Sequence, residues 1–421
     1  MIVNAIIFII VMAMLFRNFK FGVTFIAVTS VWLTMWRTPF MGSIYVIPAF
    51  TAIVIALQRY GGSIFKGYPF KAIVWLPFVS LIATNIFKGF DIYPILKLSV
   101  EYLFPVVLYY ILKTYEDLQR YMKVLTTFLI LLIAYTIFEE VTVSNPIMDW
   151  CMEHKSNFYW FTNATIMRFG FKRAQSFLLF CSALGGICNF SFFTIAYLRY
   201  KGSPLVEGKK YKCLLYALPV CSFLTGTRSV YIPLFIMCLG FANFNYIKKN
   251  IASVALIIVL AATVASPFLG RVYDSIINSD DSEEVQGSNA NMREIQFDIA
   301  THFMMQSPIV GNGTHYVSKV RAMDERILGA ESIWLPLMIE QGILGCACTA
   351  LVFLYMIGYL YYKRRYMMLW MMLAFIVGKT ISAMGGIGEG YYFVVFVFLL
   401  RCHELGAVTD KNEKYEYIQN A

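Results

Sequence analysis

Apolar runs close to or longer than the ~20 residues that cross a hydrocarbon core recur along this chain, separated by short clusters of Lys and Arg. That rhythm excludes an ordinary soluble fold. Of 421 residues, 59% are hydrophobic and 14% charged, where a soluble domain carries about 25% charged residues. The runs near 2–16, 21–36, 40–57, 71–87, 93–112, 123–142, 176–198, 213–227, 229–246, 250–269, 342–362, 366–384 and 391–402 predict an all-α polytopic membrane protein with about 12–13 transmembrane helices. Met1 to Phe16 lacks a basic leader and a small-residue cleavage site, so it reads as a retained helix rather than a signal peptide.

Orientation follows from the basic connections. Arg199, Lys201, Lys209, Lys210 and Lys212 form one cluster, Lys248 and Lys249 a second, and Lys363, Arg364 and Arg365 a third; the positive-inside rule puts them in the cytoplasm. Two hydrophilic stretches, 143–175 and 270–330, and the turns Thr225 to Ser229 and Gly385 to Gly390 then face the other side. The expected organisation is N-terminal helices over 1–142, an extracytoplasmic loop at 143–175, and central helices over 176–269. A large extracytoplasmic loop with rim helices follows at 270–341, then C-terminal helices and a short cytoplasmic tail over 342–421. Within the larger loop Met292, Ile295, Ile299 and Phe303 mark one face of a helix over Asn291 to Gln306, suited to lying on the membrane surface.

A net charge of +10 would suit nucleic acid if it gathered on one polar face, but here it sits between apolar runs as anchors. Eight of the nine cysteines lie in or beside apolar runs, and only Cys151 is in a hydrophilic loop, so no disulfide framework follows. His154, His302, His315 and His403 share no ligand-like spacing with a cysteine or each other. The expectation is no metal and no cofactor.

Between Lys212 and Lys248 the apolar sequence is interrupted only by Thr225-Gly226-Thr227-Arg228-Ser229, the tip of a tight helical hairpin. Arg228 either snorkels to lipid headgroups or faces a polar pocket, and its small polar neighbours favour the pocket. Arg168, Lys172 and Arg173 close the first loop; guanidinium groups suit phosphate oxygens, with anionic lipid as the plain alternative. Tyr159, Trp160 and Phe161 precede them as a sugar platform or an interfacial belt. Arg293 opens the amphipathic helix, and Pro308-Ile-Val-Gly311-Asn-Gly313-Thr follows it, a turn that lets backbone approach a ligand. Glu331 starts a short rim helix over 331–341, where it complements the helix N-terminus or serves as a base.

These segments, in this order, resemble the O-antigen ligase and O-antigen polymerase superfamily of bacterial envelope enzymes over roughly residues 165–400. The matching parts are Thr-Gly-Thr-Arg-Ser at 225–229, the Arg-led helix running into Pro-Ile-Val-Gly-Asn-Gly at 293–313, and Glu-Ser-Ile-Trp-Leu through Glu-Gln-Gly-Ile-Leu-Gly at 331–345. The resemblance implies transfer of a glycan from an undecaprenyl pyrophosphate donor to an acceptor hydroxyl, without metal or nucleotide sugar, at the outer face of a bacterial cytoplasmic membrane. It implies that Arg228, Arg173, Arg168 and Arg293 hold the pyrophosphate, that Gly311 and Gly313 admit the substrate to the backbone, and that the lipid bilayer, a chain-length regulator and a flippase of the same pathway are partners. Ligases of the family carry His-Asn where this chain has Glu331-Ser332, so Glu331 is the expected base, with His315 or Glu389 as alternatives. That departure favours polymerisation of O-antigen, capsule or exopolysaccharide repeats over ligation to a lipopolysaccharide core. A lipid-linked glycan flippase is the rival of another class; it needs two matched halves and charged or broken helices near the midplane, whereas the functional-looking charges here cluster at the outer rim.

Overall fold

Helices built from the apolar runs make up nearly all the regular structure in the computed structural model, which describes residues 2–38, 42–154, 167–168, 171–242, 290–327, 332–382 and 389–408. In chain order they are α1 (Ile2–Arg17), α2 (Phe19–Leu33), α3 (Val46–Tyr60), α4 (Leu76–Lys88), α5 (Ile92–Tyr102), α6 (Phe104–Ile111), α7 (Tyr115–Thr142) and α8 (Pro146–His154). Then come α9 (Cys181–Tyr200), α10 (Lys209–Leu224), α11 (Arg228–Leu239), α12 (Ala290–Met305), α13 (Tyr316–Met323), α14 (Trp334–Tyr362), α15 (Tyr366–Ile381) and α16 (Glu389–Glu404). The strands among the described residues are two-residue antiparallel pairs, Arg37–Thr38 with Gly42–Ser43 and Met167–Arg168 with Phe171–Lys172. The chain is a multi-pass membrane protein. Among the described residues four helical stretches are long and apolar enough to cross a membrane, Ile92–Ile111, Tyr115–Thr142, Cys181–Tyr200 and Trp334–Tyr362, with shorter apolar helices packed beside them. The run 250–269 lies outside the described residues.

Local sequence explains the helix ends that matter most. Thr114 and Asp117 form a capping box that starts α7, and Asp117 also receives Lys20 from α2 at 3.0 Å. Helices α9, α10 and α11 form one unit: Asn189 Nδ2 donates to the Val230 carbonyl at 2.8 Å and Ser222 Oγ donates to Asn189 Oδ1 at 2.7 Å. Antiparallel packing of α11 on α15 sets Gly240 against Trp370, which brings the C-terminal turn of α15 level with the start of α11.

Helix α12 forms over the stretch that the apolar periodicity marks. Its apolar face does not lie free for a membrane surface, however. Ile299, Ala300 and Phe303 pack into a small separate core with Val317 and Val320 of α13, Ile327, and Leu335, Met338 and Ile339 of α14. Burial against protein satisfies the apolar stripe at least as well as lipid would. Phe297 and Met305, on other faces, stay exposed.

Helix α14 is broken at Gly342 (φ 64°, ψ −155°), the residue from which the sequence counts the span. The break removes two helical hydrogen bonds, and the loop after α12 replaces both. Ile343 N donates to the Pro308 carbonyl at 2.8 Å and Leu344 N to that of Ile309 at 3.1 Å, while Asn312 N reaches the Ile339 carbonyl at 2.9 Å and Gly313 N that of Glu340 at 3.1 Å. No polar backbone group is stranded by the exchange. A side chain at Gly342 would place Cβ 2.5 Å from the Pro308 oxygen. Gly342→Ala is therefore expected to destabilise the protein by at least about 1–3 kcal/mol, the cost of backbone held where only glycine sits easily. Gly358→Ala, with nothing within 4 Å of the added carbon, should leave the thermal unfolding temperature of the purified protein unchanged.

Candidate functional site

Arg228 is the first residue of α11 and is partly buried. The turn before it is set by Gly226 at φ 58°, by Thr225 Oγ1 donating to the Ser222 carbonyl at 2.7 Å, and by Thr227 N donating to Thr225 Oγ1 at 3.3 Å. Arg173 joins the same tip: its Nη2 donates to Thr227 Oγ1 at 3.2 Å and its Nε to the Thr225 carbonyl at 3.4 Å. Ala174 N adds a backbone bond to the Leu224 carbonyl at 3.0 Å. The structure thus brings Arg228 and Arg173 together at one hairpin end, beside a helix N-terminus that itself favours anions.

What holds the Arg173 segment is a buried carboxylate on α7. Glu139 accepts hydrogen bonds from Ser176 N at 2.7 Å, Gln175 N at 3.1 Å and Asn145 Nδ2 at 2.8 Å. Lys172, expected beside Arg168 and Arg173 as an anion contact, instead pairs with Glu139 at 3.5 Å, its side chain 5% exposed and that of Glu139 0%. A buried carboxylate needs a counter-charge, and Lys172 supplies it.

Gly311 (φ 71°) and Gly313 (φ 106°) stand in the loop that fills the α14 break. A Cβ on Gly311 would lie 2.3 Å from the Glu340 carbonyl carbon, and one on Gly313 would lie 3.1 Å from Lys88 Cβ. Their close backbone approach is to α14 and α4. From α4, Thr84 Oγ1 donates to the Val310 carbonyl at 2.8 Å and Ser80 Oγ to Gln341 Oε1 at 2.7 Å. His315 follows at φ 62°, its Nε2 2.9 Å from Asp91 Oδ2 and its ring stacked on Tyr93. Arg293 stands apart from this loop on α12, whose next turn is tied down by Gln296 Nε2 donating to the Arg326 carbonyl at 3.0 Å. Arg321 on α13 is a further cation here; burial pulls its guanidinium below the ordinary arginine range, opposed by the Glu340 carboxylate.

Beneath the first turns of α14 lies a cavity of about 540 Å³ between α2, α4, α5, α14 and α15. Its polar lining includes Ser30, Lys97, Glu101, Ser332, Glu340, Gln341 and Lys379. Sequence reasoning placed the functional charges at the rim and passed over Lys97, Glu101 and Lys379, which sit inside apolar runs; that placement was itself the available signal. The side chain of Arg168 and that of Glu389 at the start of α16 lie outside the described residues, as do Glu331, Tyr159, Trp160 and Phe161.

Residues 213–350 match a family model described as O-Antigen ligase. The matched stretch contains the Arg228 hairpin tip, Arg293, the 308–313 loop and the break in α14, and over it the resemblance to the O-antigen ligase and polymerase superfamily holds. No curated protein matches the chain.

Proposed function

We propose that this chain, similar to O-antigen ligase over residues 213–350, is a glycosyltransferase that polymerises undecaprenyl-pyrophosphate-linked oligosaccharide repeats of O-antigen or capsule type on the outer face of the bacterial cytoplasmic membrane. The family match supports a glycan-processing enzyme of the ligase or polymerase kind. The observation that carries the reading further is the meeting of Arg228 and Arg173 on one hairpin tip. In the reaction the acceptor hydroxyl oxygen bonds to the anomeric carbon as the bond from that carbon to the pyrophosphate oxygen breaks, and the electron pair leaves with the pyrophosphate. Fixed guanidinium groups stabilise the charge that grows there. Arg228 and Arg173 form the centre of this clamp, with Arg168 and Arg293 as its outer members, and Glu331 takes the hydroxyl proton.

Polymerisation is preferred to ligation because Glu331-Ser332 stands where the ligases carry His-Asn. The deciding assay supplies lipid-linked repeats as both donor and acceptor to the purified protein in nanodiscs. A polymerase lengthens the chain with no other acceptor present; a ligase does not. A lipid-linked glycan flippase is the second reading, favoured by the break at Gly342 and by Lys97, Glu101 and Lys379 within apolar helices. It predicts movement of the repeats across a vesicle membrane and no chain growth in the same assay.

A further inference from the structure

A membrane-embedded lysine or carboxylate is costly to insert and marks a site by default. Two helices bring such residues to one cavity. On α5, Lys97 Nζ lies 3.8 Å from Glu101 Oε1; across the space on α15 stands Lys379, 5% exposed. Lys97 sits midway along α5 and Glu101 in its last turn, while Lys379 is in the last turn of α15. Lys379 therefore stands at the end of the bundle at which α11 begins with Arg228, and the cavity reaches from it to Lys97 and Glu101.

The cavity is lined largely by apolar side chains with a few charged and polar groups set among them, the arrangement common to small-molecule sites. The carboxylates of Glu101 and Glu340, two ammonium groups and the Ser30 hydroxyl line the same space as Tyr93 and Tyr391. A carboxylate accepts from neighbouring hydroxyls, an ammonium donates to them, and an aromatic face takes the C–H face of a pyranose. The volume of about 540 Å³ lies inside the range of roughly 300–1,000 Å³ common to small-molecule clefts. We infer that this cavity is a sugar subsite in which Glu101 and Lys379 hold hydroxyls of one ring of the substrate glycan. The inference rests on the glycan-transfer reading above. The ring belongs to either the donor or the acceptor repeat, and the kinetics distinguish them.

The test uses purified protein in nanodiscs with lipid-linked repeats extracted from the host strain, blocked at the acceptor hydroxyl to serve only as donor or cleaved from the lipid pyrophosphate to serve only as acceptor, each varied in turn. For Glu101→Gln and Lys379→Gln the KM of one substrate is expected to rise about tenfold, the scale of one charge-assisted hydrogen bond, with kcat little changed. The substrate whose KM moves owns the ring. Should both variants fail to fold, the wild-type protein decides: saturation-transfer NMR with the free oligosaccharide cleaved from the same repeats should show contact at ring protons, lost in Ser332→Trp, which fills the cavity wall. Unchanged KM for both substrates, or no ring-proton contact with wild type, overturns the subsite. No chain growth by the wild-type protein supplied with lipid-linked repeats overturns the glycan-transfer reading instead, so the two failures are told apart.

Discussion

Arg228→Ala is expected to abolish polymer formation while the protein remains inserted and expressed. Arg228 begins α11 at a tip whose shape is set by Gly226, the Thr225 and Thr227 hydroxyls and the docked Arg173, so its removal takes away a charge without unpicking a helix. A contact that forms fully only as the pyrophosphate leaves acts on the transition state alone. Its loss costs about 1.5–3 kcal/mol, or roughly ten to more than a hundredfold in rate. Arg228→Lys should restore little, because an ammonium cannot reproduce the paired donors of a guanidinium. The readout is a gel of lipid-linked glycan with protein abundance measured on the same membranes. A near-normal ladder would assign Arg228 to lipid headgroups.

Glu331→Gln is expected to lose at least about a hundredfold in rate, the lower end of general-base contributions, with donor binding intact. An acceptor hydroxyl is too weakly acidic to lose its proton beforehand, so the base must take it while the new bond forms. Glutamine keeps the size and most of the hydrogen bonding but cannot accept that proton. Glu331 itself lies outside the described residues, yet its neighbour Ser332 lines the cavity and accepts a hydrogen bond from Trp334 N at 3.3 Å. Glu331→His should retain activity, since the related ligases carry histidine there. Normal polymerisation by purified Glu331→Gln would move the role to His315 or Glu389. His315 is then the first to replace, because Asp91 at 2.9 Å already fixes one of its ring nitrogens and leaves the other to accept a proton.

Much of this was legible in the chain. In a bilayer every backbone polar group must be paired within the protein, so long apolar runs have little choice but helix, and the hairpin at 225–229 followed from a shortage of residues for anything looser. The Pro308 to Gly313 turn was legible as a close backbone approach, but its target was not. Gly311 and Gly342 lie 31 positions apart, and neither residue advertises the other. Glu139 carries no motif or spacing that singles it out, although it organises Lys172, Gln175 and Ser176. Lys97 and Glu101 were one i,i+4 pair, and Lys379 a lone charge, in hydrophobic stretches. Only the cavity that α5 and α15 both line makes them a set, and the meeting of Lys379 with the other two has no period or spacing to read.

The exchange of hydrogen bonds at Gly342 also bears on how the chain is assembled. In most spanning helices each carbonyl finds its partner within the same segment, so the segment can enter the bilayer complete. Helix α14 cannot, because the carbonyls of Ile339 and Glu340 and the amides of Ile343 and Leu344 are satisfied only by residues 308–313. Those residues precede α14 in the chain and are made first. Until they fold back, four backbone groups stand bare at the end of a nascent span, which gives residues 308–362 a required order: loop delivered, helix threaded, joint closed.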